Sequence, residues 1–425
     1  MAGGVEKTDV AVVGAGGGGA VLALSLALKG IRTIVIDQAS GPPKGLRGEI
    51  LQPNGQHILD RLGVLQSLPT GATRTVRQFH FCRAGGTRLC SIDYGDLPPP
   101  YNRAIVTMPN VVHHAIVEAI QKQPSVSLRY GTAFTGVVRQ HDRIIGLSMM
   151  GPEGPGTIHA DIVVGADGAF SKVRDALHIP ADVHLYSEGY LIAILETDGH
   201  VEESFYYVGH REILGLFPAT GNHVYLFYMI PSGSMEAIKQ RGISDIQRAW
   251  TKIAPQFDSV FKNFTDWSQT AYMPTGRVRT PTWVVDGAAL IGDAAHAMNP
   301  HASQGRMQAM VDAMTLADLL PDCLADRDCS AKRLRPYEVS RRPHVTMLQR
   351  LADQQVLFWN TGNPFIAFLR DRVFRTLDHN PRLRYQVLSV TAGLRTKAPF
   401  DLLDRIIAAG FLPDIRANEP AYEQT

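Results

Sequence analysis

The chain has 425 residues and a formal net charge of +2, from 42 basic against 40 acidic side chains. That balance does not suggest a nucleic-acid partner, which would need a basic face or stripe, and a hydrophobic fraction of 45% allows a large buried core, so disorder is not the default. The length allows two or three domains.

Residues 9–13 (DVAVV) read as a buried strand, 19–29 as a helix apolar on most faces, and 31–37 (IRTIVID) as a second strand ending in Asp37. Together they form a βαβ unit of about thirty residues. A membrane span is the competing reading of 10–29, but the glycine cluster and the strand-like start favour strand, turn and helix. A Gly/Pro loop (40–48) precedes a helix from about Asn54, where Ile58, Leu59, Leu62 and Leu65 recur at helical spacing. Strand-like segments follow at 76–93, then a helix at 110–122 striped by Val111, Val112, Ala115, Ile116 and Ile120. Residues 160–168 (ADIVVGADG) read as another buried strand running into a turn. From about 180 to 230, alternating segments such as HVYLFYMIP predict antiparallel strands. Helical pattern returns at 234–263. A third buried strand (AALIGDAAH, 288–296) leads into a helix around 305–320. The remainder reads as mostly helical, with pauses at Pro336, Pro343, Pro364 and Pro381. This layout is an α/β domain interrupted by an inserted β-rich domain.

Five glycines fall within Gly14–Gly19, a large entropic cost unless bare backbone is needed. Gly14, Gly16 and Gly19 meet the spacing GxGxxG. The first permits the tight turn out of the strand, the second lets backbone N–H groups reach a pyrophosphate, and the third lets the helix pack closely on the sheet. The positive end of the helix favours that anion. Asp37, 23 residues after Gly14, ends the next strand, where a carboxylate bonds ribose hydroxyls and disfavours a 2′-phosphate. The fingerprint alone leaves NAD and FAD both open.

Two later segments, DIVVGADGAFSKVR (161–174) and LIGDAAHAMNPHASQGRMQAMVDA (290–313), follow in order, with YEVSRRP at 337–343. Together with the glycine fingerprint, they make residues 8–345 resemble the para-hydroxybenzoate hydroxylase-like family, the class A FAD-dependent aromatic hydroxylases. The resemblance weakens through the strand-rich insertion. It implies a Rossmann-like (GR2-type) FAD-binding domain at 1–75, 101–180 and 277–395. It also implies an antiparallel β-rich substrate domain at 76–100 and 181–276, and a C-terminal segment at 396–425 within a helical C-terminal part.

The resemblance implies cofactor roles residue by residue. Gly14, Ala15, Gly16 and Gly19 meet the pyrophosphate, and Asp37 the adenosine ribose. Asp293, at the end of the third strand, meets a ribityl hydroxyl, with capping of the next helix as its alternative. Pro300 makes a turn before the helix start Gly305, Arg306 and Met307, whose backbone N–H groups face the negatively charged edge of the reduced flavin. Arg47, in GLRGEILQPNG, stands where the family has a flavin-contacting arginine, and is otherwise a solvated loop residue. Asp167 lies beside FAD and the nicotinamide donor, or else fixes its turn with Arg174 as partner. The chain departs from the family where Ala302 and Ser303 replace glycines, Met307 stands for an asparagine, and Met108 occupies a place often held by Arg or Gln. These changes alter polarity at the ring and leave the backbone contacts.

The family resemblance implies a monooxygenase that uses NADPH or NADH and O2. A flavin C4a-hydroperoxide would hydroxylate or epoxidise an aromatic, polycyclic or other electron-rich ring. A reductase or dehydrogenase on the same fold and a non-catalytic FAD-binding scaffold are the rivals, and no catalytic acid or base is assigned. His296 reads as structural or cofactor-adjacent. The fifteen histidines and four cysteines (Cys82, Cys90, Cys323, Cys329) have no metal-ligand spacing, and no CxxC pair or export signal occurs. Reduced thiols and a cytoplasmic location are therefore expected. Tyr206, Tyr207, Tyr225, Phe227 and Tyr228 are candidates for a substrate cavity, about half of which alternation turns away from it. The C-terminal stripe Phe365, Phe368, Leu369 and Val373 reads as core packing, with membrane or partner contact as the alternative.

Overall fold

The computed structural model describes residues 5–43, 49–108, 110–199 and 201–419, with only the backbone described at Glu49 and Ala302. Its first sheet is built on four parallel pairings. Val5–Val13 lies between Thr33–Ile36 and Gly154–Gly165; Val126–Arg129 extends one side and Ala288–Leu290 the other. Strands covered on both faces need apolar residues at every position rather than at alternate ones. Val10 to Val13, Ile34 to Ile36, Ile162 to Val164 and Ala288 to Leu290 are accordingly all buried. Gly17–Ala27 packs on this sheet and against the long helix Gly305–Ala325, which is why it is apolar nearly all round.

The second sheet has seven strands in the order Thr270–Arg279, Asp182–Glu196, His223–Pro231, Ile213–Ala219, Ser204–Val208, Gln78–Arg83 and Arg88–Asp93. All its pairings are antiparallel except that of Ser204–Val208 with Gln78–Arg83. Its residues divide by parity. Tyr190, Ile192, Tyr206, Phe217 and Tyr225 pack on one face, with Phe374, Leu383 and Leu388 from the C-terminal helices. Leu191, Tyr207, Leu214, Leu216 and Leu226 pack on the other, against Trp250, Phe261 and Phe264. A three-stranded antiparallel sheet of Glu49–Leu51, Ala104–Thr107 and Thr73–Val76 lies apart from both in its pairings.

Two expectations are corrected here. The predicted pauses at Pro336 and Pro343 do not occur; both prolines lie inside one helix, Ala331–Trp359. Burial of Leu334, Tyr337, Val345, Leu348 and Ala352 along that helix outweighs the backbone hydrogen bonds the prolines remove. Pro364 and Pro381 instead start helices, where a missing N–H costs nothing. In Pro364–His379, the buried face is Arg370, Asp371, Phe374 and Leu377, while Phe365 and Phe368 are exposed. Among the described residues no helix is long and apolar enough to cross a membrane.

Candidate functional site

The carboxyl ends of the parallel strands converge. Val13 pairs with Gly165 and with Ile36, and Gly165 pairs with Leu290. Backbone bonds continue the register past the strands: Gly14 N–H donates to Ile36 O, Ala166 N–H to Val13 O, and Ile291 N–H to Gly165 O. The three motifs, separated by well over a hundred residues in sequence, therefore open on one crevice.

At the crevice, the glycines differ in what they permit. Gly14 has φ +100°, and a Cβ there would lie 2.4 Å from the Ala166 carbonyl oxygen. A Cβ on Gly19 would lie 1.9 Å from the Gly14 carbonyl oxygen, so strand and helix could not approach as they do. A Cβ on Gly16 would meet nothing within 4 Å. Gly16 thus keeps open space in front of the backbone at the start of the helix Gly17–Ala27, the place where an anion is stabilised. Asp37 closes one side of the turn: its Oδ2 accepts from Ala15 N–H at 2.7 Å and its Oδ1 from Ala39 N–H at 2.8 Å.

Asp167 stands beside Gly14, and its carboxylate accepts from Ser171 Oγ and from Val173 N–H, so it holds the entry to the short helix Lys172–Ala176. Burial dominates its surroundings and raises its pKa. Arg174 donates to the carbonyls of Ala169 and Ala294 and not to Asp167. Arg47 lies outside the described residues.

A cavity of about 500 Å³ adjoins the crevice. Five of the sequence-predicted residues line it: Asp293, Pro300, Gly305, Arg306 and Met307. Asp293 is exposed, at the start of Asp293–His296. The Arg306 stem lies over the glycine turn, 3.0 Å from where a Gly17 Cβ would be, and burial lowers its guanidinium to about 10. The opposite wall comes from the seven-stranded sheet. Of the five aromatic candidates, Tyr206, Tyr225 and Phe227 line the cavity; Tyr207 and Tyr228 pack on the other face.

Sequence reasoning missed the centre of this wall. His301 follows Pro300 and is buried between two tyrosines, its Nδ1 2.9 Å from the Tyr206 hydroxyl and its Nε2 2.7 Å from that of Tyr190. Burial lowers the His301 pKa to about 3 and raises both tyrosines well above the usual value, so the trio is uncharged near neutrality. A neutral imidazole has one N–H, so one tyrosine donates to the ring and the other accepts from it. The accepting tyrosine keeps its own proton for another acceptor. The only signal in sequence is the position of His301 inside the third motif; nothing local marks Tyr190.

His296 is not part of the cavity. Its Nε2 lies 2.5 Å from Asp312 Oδ2, which also accepts from Gly292 N–H at 3.0 Å, and Arg341 Nε donates to Asp312 Oδ1 at 2.8 Å. This buried cluster pins the third strand end to two helices. Burial pushes Asp312 up, but the charges of His296 and Arg341 and the hydrogen bonds outweigh it, and its pKa is lowered.

Comparison with known proteins agrees with this geometry. Residues 7–352 match the family model described as FAD binding domain. The chain is 27% identical over 394 residues to the 6-methylpretetramide 4-monooxygenase of Streptomyces rimosus, covering 92% of this chain and 93% of that one. It is 25% identical over 401 residues to the 3-demethoxyubiquinol 3-hydroxylase of Escherichia coli, covering 92% and 99%. The fold is similar to the crystal structure of p-nitrophenol 4-monooxygenase from Pseudomonas putida, with a TM-score of 0.81 at 21% identity, covering 92% of this chain and 100% of that one.

Proposed function

We propose, for a chain that belongs to the FAD binding domain family and is thereby a FAD-dependent oxidoreductase of the aromatic hydroxylase kind, a monooxygenase that uses NADPH or NADH and O2 to hydroxylate or epoxidise an aromatic or other electron-rich ring. The observation that carries this reading is the convergence of three strand ends on a crevice that continues into a cavity with an aromatic wall.

The residues present fit an extended dinucleotide. Gly16 leaves room for a phosphate where a side chain would otherwise project, Ala15 N–H donates to Asp37 Oδ2, and Gly19 lets the helix approach the strand closely enough to present that turn. In this reading Asp37 holds the adenosine ribose, Asp293 the ribityl chain, and Gly14 the turn that exposes them. Asp167 keeps the second strand end in shape beside the cofactor. Pro300, Gly305, Arg306 and Met307 bound the ring, and Arg47 belongs to the same reading. When bound, FAD supplies the two-electron chemistry with the nicotinamide and O2. The chain supplies orientation and exclusion of water: Tyr206, Tyr225 and Phe227 bound the ring substrate, and the spare tyrosine proton of the His301 trio donates to a substrate oxygen. The division into a cofactor-binding part (1–75, 101–180, 277–395) and a substrate-binding part (76–100, 181–276) belongs to this proposal, as does action inside the cell.

The test is direct. Purified protein should carry a flavin absorption spectrum or acquire one with added FAD, and should oxidise NADPH or NADH faster with an aromatic substrate. One atom of 18O2 should appear in the product. Protein that takes up no FAD overturns the reading, and product formed equally without O2 replaces it with a reductase.

A further inference from the structure

Four residues of the large cavity's wall, Ile50, Tyr206, His301 and Ser303, also line a second cavity of about 70 Å³. Aromatic and aliphatic side chains make up most of the rest of it: Phe79 sits 5.7 Å from Phe217, and Phe81 5.2 Å from Trp359, between ring centroids. Among the described residues that line it there is no Asp, Glu, Lys or Arg. Some of its polar atoms are engaged. Gln52 Oε1 accepts from the Tyr94 hydroxyl, and Tyr206 is bonded to His301. Two buried ones, Ser204 Oγ and Gln355 Oε1, have no hydrogen-bond partner. Buried polar atoms are almost always partnered. The cations nearby belong to the larger cavity alone, and Arg277 is committed to Asp353 at 2.8 Å and Asp182 at 3.2 Å.

We propose that this second cavity is the specificity pocket of the enzyme. It receives the hydroxyl- or amine-bearing edge of an uncharged ring whose body lies in the large cavity, bonds that group through Gln355 Oε1 and Ser204 Oγ, and excludes rings that present a carboxylate there. The inference rests on the ring-oxygenase reading above and adds the substrate class. The reasoning is one of desolvation. A hydroxyl entering this pocket exchanges water for two waiting partners. A carboxylate loses its water with no cation to replace it, which costs far more than burying a neutral group. The rings around it suit a flat π-system, stacked or edge-on.

The FAD-loaded protein is titrated with 2-naphthol and with 2-naphthoate at pH 7, following quenching of tryptophan fluorescence. Trp359 lines the pocket, so the quenching amplitude should fall sharply in Trp359→Phe. Naphthol should bind about tenfold or more tighter than naphthoate. Gln355→Arg places a cation at the wall and should reverse the order; Ser204→Ala, a small change that keeps the fold, should weaken naphthol and leave naphthoate unaltered. Equal affinity of the two probes, tighter naphthoate, quenching that Trp359→Phe does not alter, or an unchanged order in Gln355→Arg each overturn the proposal. Flavin content is read separately from the visible spectrum. A flavin-bearing protein that fails the naphthol test therefore sinks this inference without touching the cofactor reading.

Discussion

In the proposed function Asp37 holds the adenosine end of the site. Its carboxylate already spans the glycine turn and its own strand end, through Ala15 N–H and Ala39 N–H. In Asp37→Ala those donors lose a charged acceptor and the ribose loses its partner. Net hydrogen-bond contributions to a charged group are about 1.5–3 kcal/mol, so FAD affinity should fall by about ten- to a hundredfold. Fluorescence of released flavin on dilution measures this; an unchanged dissociation constant would place the ribose elsewhere. His301 shows the complementary case, a residue whose importance lies in bonds to side chains distant in sequence. Its neighbour Pro300 lines the large cavity, and its own ring is bonded to two strands of the seven-stranded sheet through Tyr190 and Tyr206.

At the scale of elements, the buried cluster around Asp312 decides how the third strand end is held. Asp312 lies on Gly305–Ala325, accepts from Gly292 N–H at the strand end, and pairs with Arg341 on Ala331–Trp359. Asp312→Asn keeps the volume and removes the charge, leaving Arg341 buried without a counter-ion. Breaking one side of a buried pair costs about 3–5 kcal/mol. Denaturant unfolding should show that loss, and flavin affinity should fall with it, because Gly292 and Asp293 share the loosened turn. A variant as stable as the parent would show that the cluster is dispensable. The same helix Ala331–Trp359 absorbs two prolines, so its stability comes from its buried stripe and from Arg341, not from an unbroken hydrogen-bond ladder.

For the whole molecule, the buried histidines set the response to acid. His301 is lowered to about 3 and His344 to about 4, both mainly by burial, from an ordinary value of 6.5. Between those values and 6.5 the unfolded chain binds protons that the native chain does not. Stability is therefore full above about pH 6.5 and falls as pH drops toward 4. Asp312, with its lowered pKa, adds a loss below about pH 4. Asp167, raised by burial, works in the opposite sense and is one group against several. Urea midpoints at pH 7.5 and 5 should differ, with pH 5 clearly lower; equal midpoints would mean that these histidines are not buried neutral.

Much of this protein is legible along the chain. The parallel strands announce themselves as unbroken apolar runs because both their faces are covered, and the glycine spacing follows from carbonyl oxygens that would lie only 1.9 and 2.4 Å from a Cβ at Gly19 and Gly14. The demand at Gly19 is local, set by the Gly14 carbonyl, so residues 9–37 state it alone; that at Gly14 is set by Ala166 in the second motif. The split of Tyr206 from Tyr207 was legible as an alternation but not as a direction, since either face of an antiparallel strand can be the buried one, and here both are. The chain by itself therefore determined the βαβ start, the order of the three motifs and the class of cofactor they suit. Only the tertiary structure decided that His301 sits between Tyr190 and Tyr206, that Arg174 leaves Asp167 for two carbonyls, and that an uncharged pocket opens behind the wall. Partners roughly a hundred residues apart meet through packing and desolvation, which depend on what surrounds a side chain rather than on what precedes it.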